Sequence, residues 1–306
     1  MKELTEILQE WEPRRNQQMA LATLVRAKGS SYRRVGTRML VASDGTRVGS
    51  LSAGCLEEEV AACALQVIHS RNPTMMSFDT RRRFGCDGNI EIFVEPAAED
   101  FLADLARHFL LRRTCVIATV FENAERLGSF ISTLDYAKAG TLCQTIEPPL
   151  RLIVVGDEPE LRSLETLSRA LGWEIINCRS VAELPNELDA RTAALIKTHH
   201  YGRDCAALRL LLPKGLPYLG LIGPHRRRDR ILGDVLDSGA EMRSQLFAPA
   251  GLDLGAESPE EVALSVIAEI QRVFGQGSGE LLRDRKVPIH CARQKSNPAS
   301  AEIVRG

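Results

Sequence analysis

The sequence predicts an α/β protein in which an N-terminal mixed α/β domain is followed by a domain built on a doubly wound parallel sheet. After residue 150, short apolar runs alternate with amphipathic helical patterns, an order typical of parallel strands joined by crossover helices. Before residue 147, strand-like runs follow one another with short turns between them. Two prolines, Pro148 and Pro149, separate these regions. We therefore predict domains at residues 1–147 and 150–275 and a flexible tail at residues 276–306.

The composition is that of a globular protein, with 44% hydrophobic and 26% charged residues in a chain of 306. The net charge of −1 provides no basic field that would attract nucleic acid. We see no secretory signal and no apolar run long enough to cross a bilayer, so we expect a cytoplasmic protein without a membrane partner. The eight cysteines are scattered and are expected to be reduced.

The first domain is predicted to begin with an amphipathic helix at residues 1–12. A tight turn at Ser43-Asp44-Gly45 is predicted to join two strands into a hairpin. The predicted strands of this domain are residues 19–27, 38–42, 46–51, 74–79, 90–96, 114–121 and 126–131, and the further helices begin near residue 56 and residue 101. Residues 145–149 are predicted to be the linker because prolines break regular structure.

The second domain alternates strands with helices throughout. The predicted strands are residues 152–156, 172–177, 193–197 and 217–222, and the predicted helices are residues 160–171, 206–212, 226–236 and 259–274. In a doubly wound sheet, ligands bind outside the carboxyl ends of the strands, so the loops that follow these strands are candidate sites.

A strand-to-helix turn at residues 49–59 contains Gly54 and Cys55, and three glutamates follow in the first helical turn. A cysteine at a helix N-terminus lies among unpaired backbone N–H groups, which favour its thiolate. The same N–H groups can hold a phosphate or carboxylate, and Gly54 allows close approach of a ligand. The alternative is a plain turn with a small buried thiol, and the glutamates disfavour an anion unless they point away.

A second Gly-Cys pair, Gly85-Cys86, lies in a glycine-flanked turn between two predicted strands. Because both pairs adjoin strands, Cys55 and Cys86 could converge on one pocket. Two cysteines are too few for a closed structural zinc site, which requires four ligands. An open site completed by a ligand or a metal-bearing cofactor remains the alternative.

A loop rich in cations and hydroxyl groups follows the first strand. Its candidate anion-binding residues are Ser30, Ser31, Arg33, Arg34 and Arg38. Arginines bind phosphate or carboxylate through paired hydrogen bonds, so the loop could hold either group. A solvated basic loop is an equally good interpretation.

The turn after the first strand of the second domain lacks the dinucleotide fingerprint. That fingerprint needs three glycines, whereas this turn contains Gly156 followed by the carboxylates Asp157, Glu158 and Glu160. The acidic residue expected about 20 positions later, for a ribose hydroxyl, is also absent. NAD is therefore not expected to bind.

Two later loops of the second domain carry polar residues at strand ends. His199 and Asp204 follow one strand, and Arg226 and Arg227 begin the helix after the next strand. His199 and Asp204 are well placed for a ligand at the carboxyl end of the sheet, and the loop before Arg226 and Arg227 could bind an anion. Histidines in solvent and a plain basic helix start are the alternatives.

Several motifs occur in an order that resembles the XdhC/CoxI family, the accessory proteins of xanthine dehydrogenase and related molybdenum hydroxylases. The resemblance extends over residues 20–274. In the first domain it rests on Gly29, Ser30, Ser31, Arg33, Arg34, Gly36, Arg38, Met39, Gly49, Ser50, Ser52, Gly54, Cys55, Leu56, Glu57, Gly85, Cys86, Gly88, Ile90 and Glu91. In the second domain it rests on Thr198, His199, Tyr218, Leu219, Gly220, Gly223, Arg226, Arg227 and residues 251–261.

The resemblance implies a cofactor chaperone that binds molybdenum cofactor, assists its sulfuration and transfers it to an apo molybdenum hydroxylase. It also implies a homodimer, a cysteine desulfurase-type sulfur donor and a Rossmann-like second domain. Molybdopterin carries a phosphate and a dithiolene-bound metal, so Cys55 and Cys86 are the candidate metal or sulfur ligands as soft thiolates. The other candidate cofactor-binding residues are Gly54, Gly85, Ser30, Ser31, Arg33, Arg34, Arg38, His199, Arg226 and Arg227.

The chain departs from the family pattern in both domains. In the first, Gly-Cys-Gly-Gly becomes Gly85-Cys86-Asp87-Gly88 and Ser-Gly-Gly-Cys becomes Ser52-Ala53-Gly54-Cys55. The turn that reads Gly-Ala-Gly-His in many members begins Gly156-Asp157 here, and Thr-His-Asp-His becomes Thr198-His199-His200-Tyr201. The Gly-Cys pairs of the first domain are retained. A cofactor chaperone is therefore our leading hypothesis, and the alternatives are a nucleotide-dependent oxidoreductase of the Rossmann type and a ligand-free interaction module.

Overall fold

The computed structural model describes residues 2–29, 33–52, 54, 56–79, 88–122, 125, 127–132, 138–157 and 159–284. Within these ranges, two antiparallel sheets form from the N-terminal part of the chain and one parallel sheet forms from the C-terminal part. The predicted fold class, a mixed α/β domain followed by a doubly wound parallel sheet, is confirmed. The predicted boundaries at residues 147, 150 and 275 stay predictions.

The first sheet is antiparallel and contains five strands. They are β1 (Met19–Gly29), β2 (Arg38–Ala42), β3 (Arg47–Gly49), β4 (Thr74–Asp79) and β5 (Gly88–Pro96). Their order across the sheet is β3-β2-β1-β5-β4. The first seven residues of the central strand β1 are buried because both faces of the sheet are covered. The predicted hairpin joins β2 to β3, with Gly45 at φ +86° in its turn.

Helices cover both faces of this sheet. They are α1 (Lys2–Trp11), α2 (Glu57–Ser70) and α3 (Glu99–Leu110). Side chains of α2, including Val60 and Val67, pack with Ala22 and Leu24 of β1. On the other face, Leu21 packs with side chains of α1 and α3. This arrangement follows from strand alternation, which sends neighbouring residues of β1 to opposite faces.

The second sheet is antiparallel and packs beside α1 and α3. Its strands are β6 (Cys115–Val120), β7 (Gly128–Ser132) and β8 (Thr141–Ile146), in the order β7-β6-β8. The sequence pattern does not indicate β8, and Thr145 and Ile146 were predicted to belong to the linker. That assignment was wrong, because both residues pair with β6 and Ile146 is buried in the core.

The third sheet is parallel and contains β9 (Arg151–Val155), β10 (Glu174–Cys178), β11 (Thr192–Ile196), β12 (Tyr218–Leu221) and β13 (Leu246–Phe247). Their order is β10-β9-β11-β12-β13. The chain moves one way from β9 to β10 and then returns past β9 to β11. The strand order therefore reverses between β9 and β11, which is the topological switch point where doubly wound sheets bind ligands.

Helices cover both faces of the parallel sheet, as a doubly wound fold requires. They are α4 (Leu161–Leu171), α5 (Tyr201–Leu211), α6 (His225–Asp237) and α7 (Pro259–Phe274). α5 and α6 pack on one face, and α4 and α7 pack on the other. α5 begins five residues earlier than predicted, so Asp204 is helical and does not belong to the preceding loop.

The last helix illustrates how local sequence sets a boundary. The Ser258 side chain accepts from the Glu261 N–H, and the Glu261 side chain accepts from the Ser258 N–H. Pro259 fits the first helical position, where no backbone donor is needed. This capping box starts α7 at the predicted residue. Among the described helices, none is long and apolar enough to cross a membrane.

Candidate functional site

Three strand ends meet at one end of the first sheet. Gly29, the last residue of β1, pairs with Gly88, the first residue of β5. Asn89 pairs with Lys28 on one side and with Asp79, the last residue of β4, on the other. In the sequence, Ser30 and Ser31 directly follow Gly29, and Gly85 and Cys86 precede Gly88 by three and two residues. Those four residues themselves lie outside the described ranges.

The turn that carries the other candidate cysteine borders the same end of the sheet. β3 runs parallel to β1, and Gly49 pairs with Met39, so the chain leaves β3 in the direction in which β1 runs. Leu51 and Leu56, on either side of the turn, pack in one core with Ile90 and Phe78. Cys55 lies outside the described residues, as Cys86 does.

Glu57 organises this turn. Its Oε1 accepts from the backbone N–H groups of Ser52 (2.8 Å) and Leu51 (3.2 Å), and its Oε2 accepts from the Leu56 N–H (3.1 Å). The hydroxyls of Ser50 (2.8 Å) and Ser52 (2.7 Å) also donate to it. Burial raises the pKa of Glu57, but the hydrogen bonds from Ser52 and Ser50 outweigh it and lower that pKa to about 2. Backbone donors that were expected to hold an external anion thus bind a carboxylate of the chain itself.

Gly54 is exposed at the outer side of this turn. Its φ is +106°, and a Cβ added there would meet no atom of the described residues within 4 Å. The backbone conformation favours glycine, and the space beside it is open. This geometry fits a position where a ligand approaches the backbone.

The candidate arginines of the first domain have separate environments. Arg33 donates to Glu3 of α1 at 2.9 Å. Arg34 is exposed. Arg38 is 1% exposed and points between the two antiparallel sheets, where it donates to the Gly36 carbonyl (2.8 Å) and to Gln144 Oε1 (2.6 Å). The structure therefore does not bring Arg38 to the surface loop with which the sequence grouped it.

The surroundings of Arg38 form a buried polar network. Arg38 Nη2 lies 3.4 Å from the Thr119 hydroxyl, which hydrogen-bonds to the Ser129 hydroxyl at 2.8 Å. Ser129 donates its N–H and hydroxyl to Glu95. Burial raises the pKa of Glu95 despite these bonds and the charge of Arg38. Burial also lowers the pKa of Arg38 to about 10, against the opposing charge of Glu95. This network links the two antiparallel sheets, which indicates a structural role.

In the second domain, Asp204 holds the loop after β11. Its Oδ1 accepts from the Thr198 hydroxyl (2.5 Å) and N–H (3.2 Å), and its Oδ2 accepts from Arg227 (2.5 Å). Asp204 is fully buried, while Arg226 is exposed. Of the two candidate arginines, Arg226 and Arg227, it is thus Arg227 that forms an ion pair inside the protein.

Two residues at the switch point, Lys197 and Glu160, were not predicted as site residues. Lys197 directly follows β11 and is fully buried, with its Nζ 3.0 Å from Oε2 of the buried Glu160 and in contact with the Asp157 carbonyl oxygen. His199, at φ +54°, lies nearby with its Nε2 4.0 Å from the same oxygen. The sequence signal was a lysine that immediately follows the apolar run of residues 193–196.

The structure therefore forms two groups from the predicted residues. One lies around the end of the first sheet and includes Gly54, and the other lies at the switch point and includes His199 and Arg227. No cluster of three or more His, Cys, Asp or Glu side chains suitable for a metal occurs among the described residues.

Two cavities of about 400 and 630 Å³ lie elsewhere, where the two domains meet. The first is lined by α1 and residues around Trp173, and the second by the end of α3 and residues around Asp189. Neither cavity is lined by a residue predicted for the site.

Comparison with known proteins identifies the family. A model of the XdhC Rossmann domain matches residues 152–270, and a model of the XdhC and CoxI family matches residues 13–79. The two matches together cover more than half of the chain. The chain belongs to the XdhC and CoxI family.

Two curated relatives match the chain in sequence along most of their length. The chain is 29% identical over 314 residues to a probable xanthine dehydrogenase subunit of Bacillus subtilis, covering 83% of this chain and 92% of that protein. It is 27% identical over 273 residues to the molybdenum cofactor insertion chaperone PaoD of Escherichia coli, covering 83% of this chain and 82% of that protein.

A solved structure shows the same fold. It is described as a xanthine dehydrogenase from Bacillus halodurans and superimposes with a TM-score of 0.74 at 24% identity. The match covers 90% of this chain and 97% of the other. At this identity the likeness concerns the fold alone.

Proposed function

We propose that the protein is an accessory factor that binds molybdenum cofactor and delivers it to an apo molybdenum hydroxylase of the xanthine dehydrogenase type. We propose further that it assists sulfuration of the cofactor before delivery, and that it acts as a chaperone rather than as a turnover enzyme. Membership of the XdhC and CoxI family supports this role. The names of two relatives, one a cofactor insertion chaperone and the other a xanthine dehydrogenase subunit, point in the same direction.

The observation that carries the proposal is the pairing of Gly29 with Gly88. Gly29 precedes Ser30 and Ser31 in the sequence, and Gly88 follows Gly85 and Cys86, so the pairing supports a shared site for these four residues. Gly54, beside Cys55, adds an exposed backbone with open space around it. A ligand with a phosphate at one end and a soft metal at the other needs this combination of hydroxyl groups, glycine backbone and thiols.

Within this site we assign the thiolates of Cys55 and Cys86 to the metal or its sulfur, because sulfur ligands suit soft metals. Ser30, Ser31 and Arg34 are assigned to the phosphate. Arg33 would have to exchange Glu3 for the ligand, and Arg38 supports the sheets from the interior. Because the Glu57 carboxylate already accepts from the backbone N–H groups of Leu51, Ser52 and Leu56, its negative charge disfavours a phosphate at this turn. We therefore expect the phosphate at the loop after β1.

The remaining parts of the proposal concern organisation and partners. We propose a homodimer that works in the cytoplasm and receives sulfur from a cysteine desulfurase-type donor. We also propose the division into domains at residues 1–147 and 150–275, with residues 276–306 as a tail. His199, Arg226 and Arg227 belong to the second domain and are proposed as contacts to cofactor held by the first domain.

Cofactor retention tests the proposal directly. The purified protein is incubated anaerobically with molybdenum cofactor under reducing conditions, separated from excess ligand by gel filtration, and assayed for molybdenum and pterin per chain. Wild type should retain both in stoichiometric amounts, and Cys55→Ala and Cys86→Ala should each lower retention. Cys143→Ala is the matched control, since Cys143 lies in β8 of the second sheet.

Two outcomes would contradict the assignment. If wild type retains neither molybdenum nor pterin, the protein is not a cofactor carrier. If retention is stoichiometric but equal in Cys55→Ala, Cys86→Ala and Cys143→Ala, the assignment of the two thiolates to the metal or its sulfur is wrong.

A further inference from the structure

We infer that the ligand crevice of the parallel sheet is closed from within by Lys197 and its partner Glu160, an internal ion pair that contributes to the exclusion of dinucleotides from the second domain. The inference concerns the switch point between β9 and β11 and does not depend on the proposed cofactor function.

Strand alternation directs Lys197 toward the start of α4. Ala193 and Leu195 of β11 face α4 and α7, whereas Ala194 and Ile196 face α5 and α6. The ladder continues one residue past the strand, because the Lys197 N–H donates to the Val155 carbonyl at 2.9 Å. Lys197 therefore faces the side on which the turn from β9 enters α4.

The lysine side chain lies along that turn. A Cβ added to Gly156 would come within 3.1 Å of Lys197 Cγ, so the aliphatic part passes directly against the glycine. The ammonium group contacts the Asp157 carbonyl oxygen and lies 3.0 Å from Glu160 Oε2. In dinucleotide-binding sheets the pyrophosphate occupies this position, at the glycine turn and the N-terminus of the first helix.

Glu160 is the N-cap residue of α4, where the helix dipole favours a negative charge. Its carboxylate thus supplies the anion that the ligand phosphate would supply, and Lys197 neutralises it. Glu160 is 7% exposed and Lys197 is fully buried, so water solvates neither charge well and each charge is stabilised by the other. A pyrophosphate could enter only by breaking this pair and approaching the carboxylates of Glu160 and Asp157.

A double-mutant cycle tests the internal pair in the full-length protein. Lys197→Met and Glu160→Gln should each lower the melting temperature by about 5 °C or more, because each leaves one charge buried without its partner. The double variant should lower the melting temperature by clearly less than the sum of the shifts of the two single variants. The matched control is Lys2→Met with Glu6→Gln, an exposed lysine–glutamate pair at 3.6 Å, for which the shifts should be small and additive.

Two measurements on wild type need no variant. Titration with NADH and with FAD should give no saturable binding up to roughly 1 mM, the range of very weak affinity. Limited acetylation followed by mass spectrometry should leave Lys197 unmodified while the exposed Lys28 reacts.

Additive effects of Lys197→Met and Glu160→Gln would overturn the inference, since the residues would then not be coupled. Saturable binding of NADH or FAD by wild type would also overturn it, as would acetylation of Lys197 as fast as that of Lys28. If the single variants do not fold, the titration of wild type with NADH and FAD and the acetylation of wild type decide the question.

Discussion

Arg112, which follows α3, binds Asp189 of the second domain through two parallel hydrogen bonds. Its Nε donates to Asp189 Oδ2 at 2.6 Å and its Nη2 to Oδ1 at 3.2 Å. The same guanidinium also donates to Glu174 at 2.8 Å and to the Pro149 carbonyl at 3.1 Å. The Arg112 side chain is only 11% exposed. One arginine thus joins the two domains and the segment between them.

Replacement of Asp189 should weaken this junction in a pH-dependent way. Burial raises the pKa of Asp189, but the hydrogen bonds from Arg112 and Thr192 outweigh it and leave that pKa below its usual value. The stabilisation is therefore present above the unfolded pKa and lost as pH falls through the lower folded pKa. Asp189→Asn should cost about 1.5–3 kcal/mol near pH 7, the range for hydrogen bonds to charged groups.

Denaturant unfolding of wild type and Asp189→Asn from pH 7 to pH 3 measures this effect. The difference between the two proteins should shrink toward acid. Asp104→Asn is the control, because its pair with Arg107 is exposed and contributes little. A difference that stays constant over this pH range would show that the charge of Asp189 does not stabilise the junction.

We expect Glu57 to stabilise the turn before α2, unlike the neighbouring glutamate Glu58. Glu57→Gln is expected to destabilise the protein by about 1–3 kcal/mol, because the amide cannot accept from all five donors. Since the folded pKa is about 2, the loss relative to wild type should persist at neutral pH and diminish only between the unfolded pKa and about 2. Thermal unfolding checks it, and Glu58→Gln, exposed in the same helical turn, should have little effect.

Arg38 and Arg33 should differ in their effect on stability although they are close in sequence. Arg38→Met leaves Glu95 buried without its positive neighbour and should cost about 3–5 kcal/mol. Arg33→Met removes a partly exposed pair with Glu3 and should cost about 0–1 kcal/mol. Urea unfolding distinguishes them, and equal losses would contradict a structural role for Arg38.

The buried cysteines should be inert in the folded protein. Burial raises the pKa of Cys115, Cys178 and Cys205, so little thiolate is present at neutral pH. Alkylation with iodoacetamide followed by mass spectrometry should leave these three unmodified until the chain is unfolded. Cys55 and Cys86 should react in the ligand-free protein and become protected when molybdenum cofactor is present. Rapid modification of Cys178 in the folded protein would contradict the burial argument.

The elements with strong periodicity were predictable from sequence. The burial of β9 and β11 follows from their unbroken apolar runs, and the start of α7 follows from Ser258, Pro259 and Glu261. β8 was missed because its residues are mostly half-buried, so it shows neither a clear alternation nor a continuous apolar run. The order of strands in the parallel sheet depends on long-range pairing and has no local signal.

The environments of single charged residues were the least predictable feature. Arg38 was grouped with the loop arginines by proximity in sequence, yet alternation along β2 turns it away from Met39 and into the interior. Lys197 pairs with Glu160, which is distant in sequence and is brought close only by the folding of the sheet. Local patterns do not reveal such partners, because the pairing is created by the fold.

The arrangement of sheets also has a consequence for synthesis of the chain. Both antiparallel sheets are complete when residue 146 has been made, and they include a hairpin between β2 and β3. The parallel sheet consists of crossover connections, and β9 gains its second neighbour only with residues 192–196. Because domains fold as units and the N-terminal domain is made first, the nascent chain is expected to fold its first domain at the ribosome while the second is still being translated.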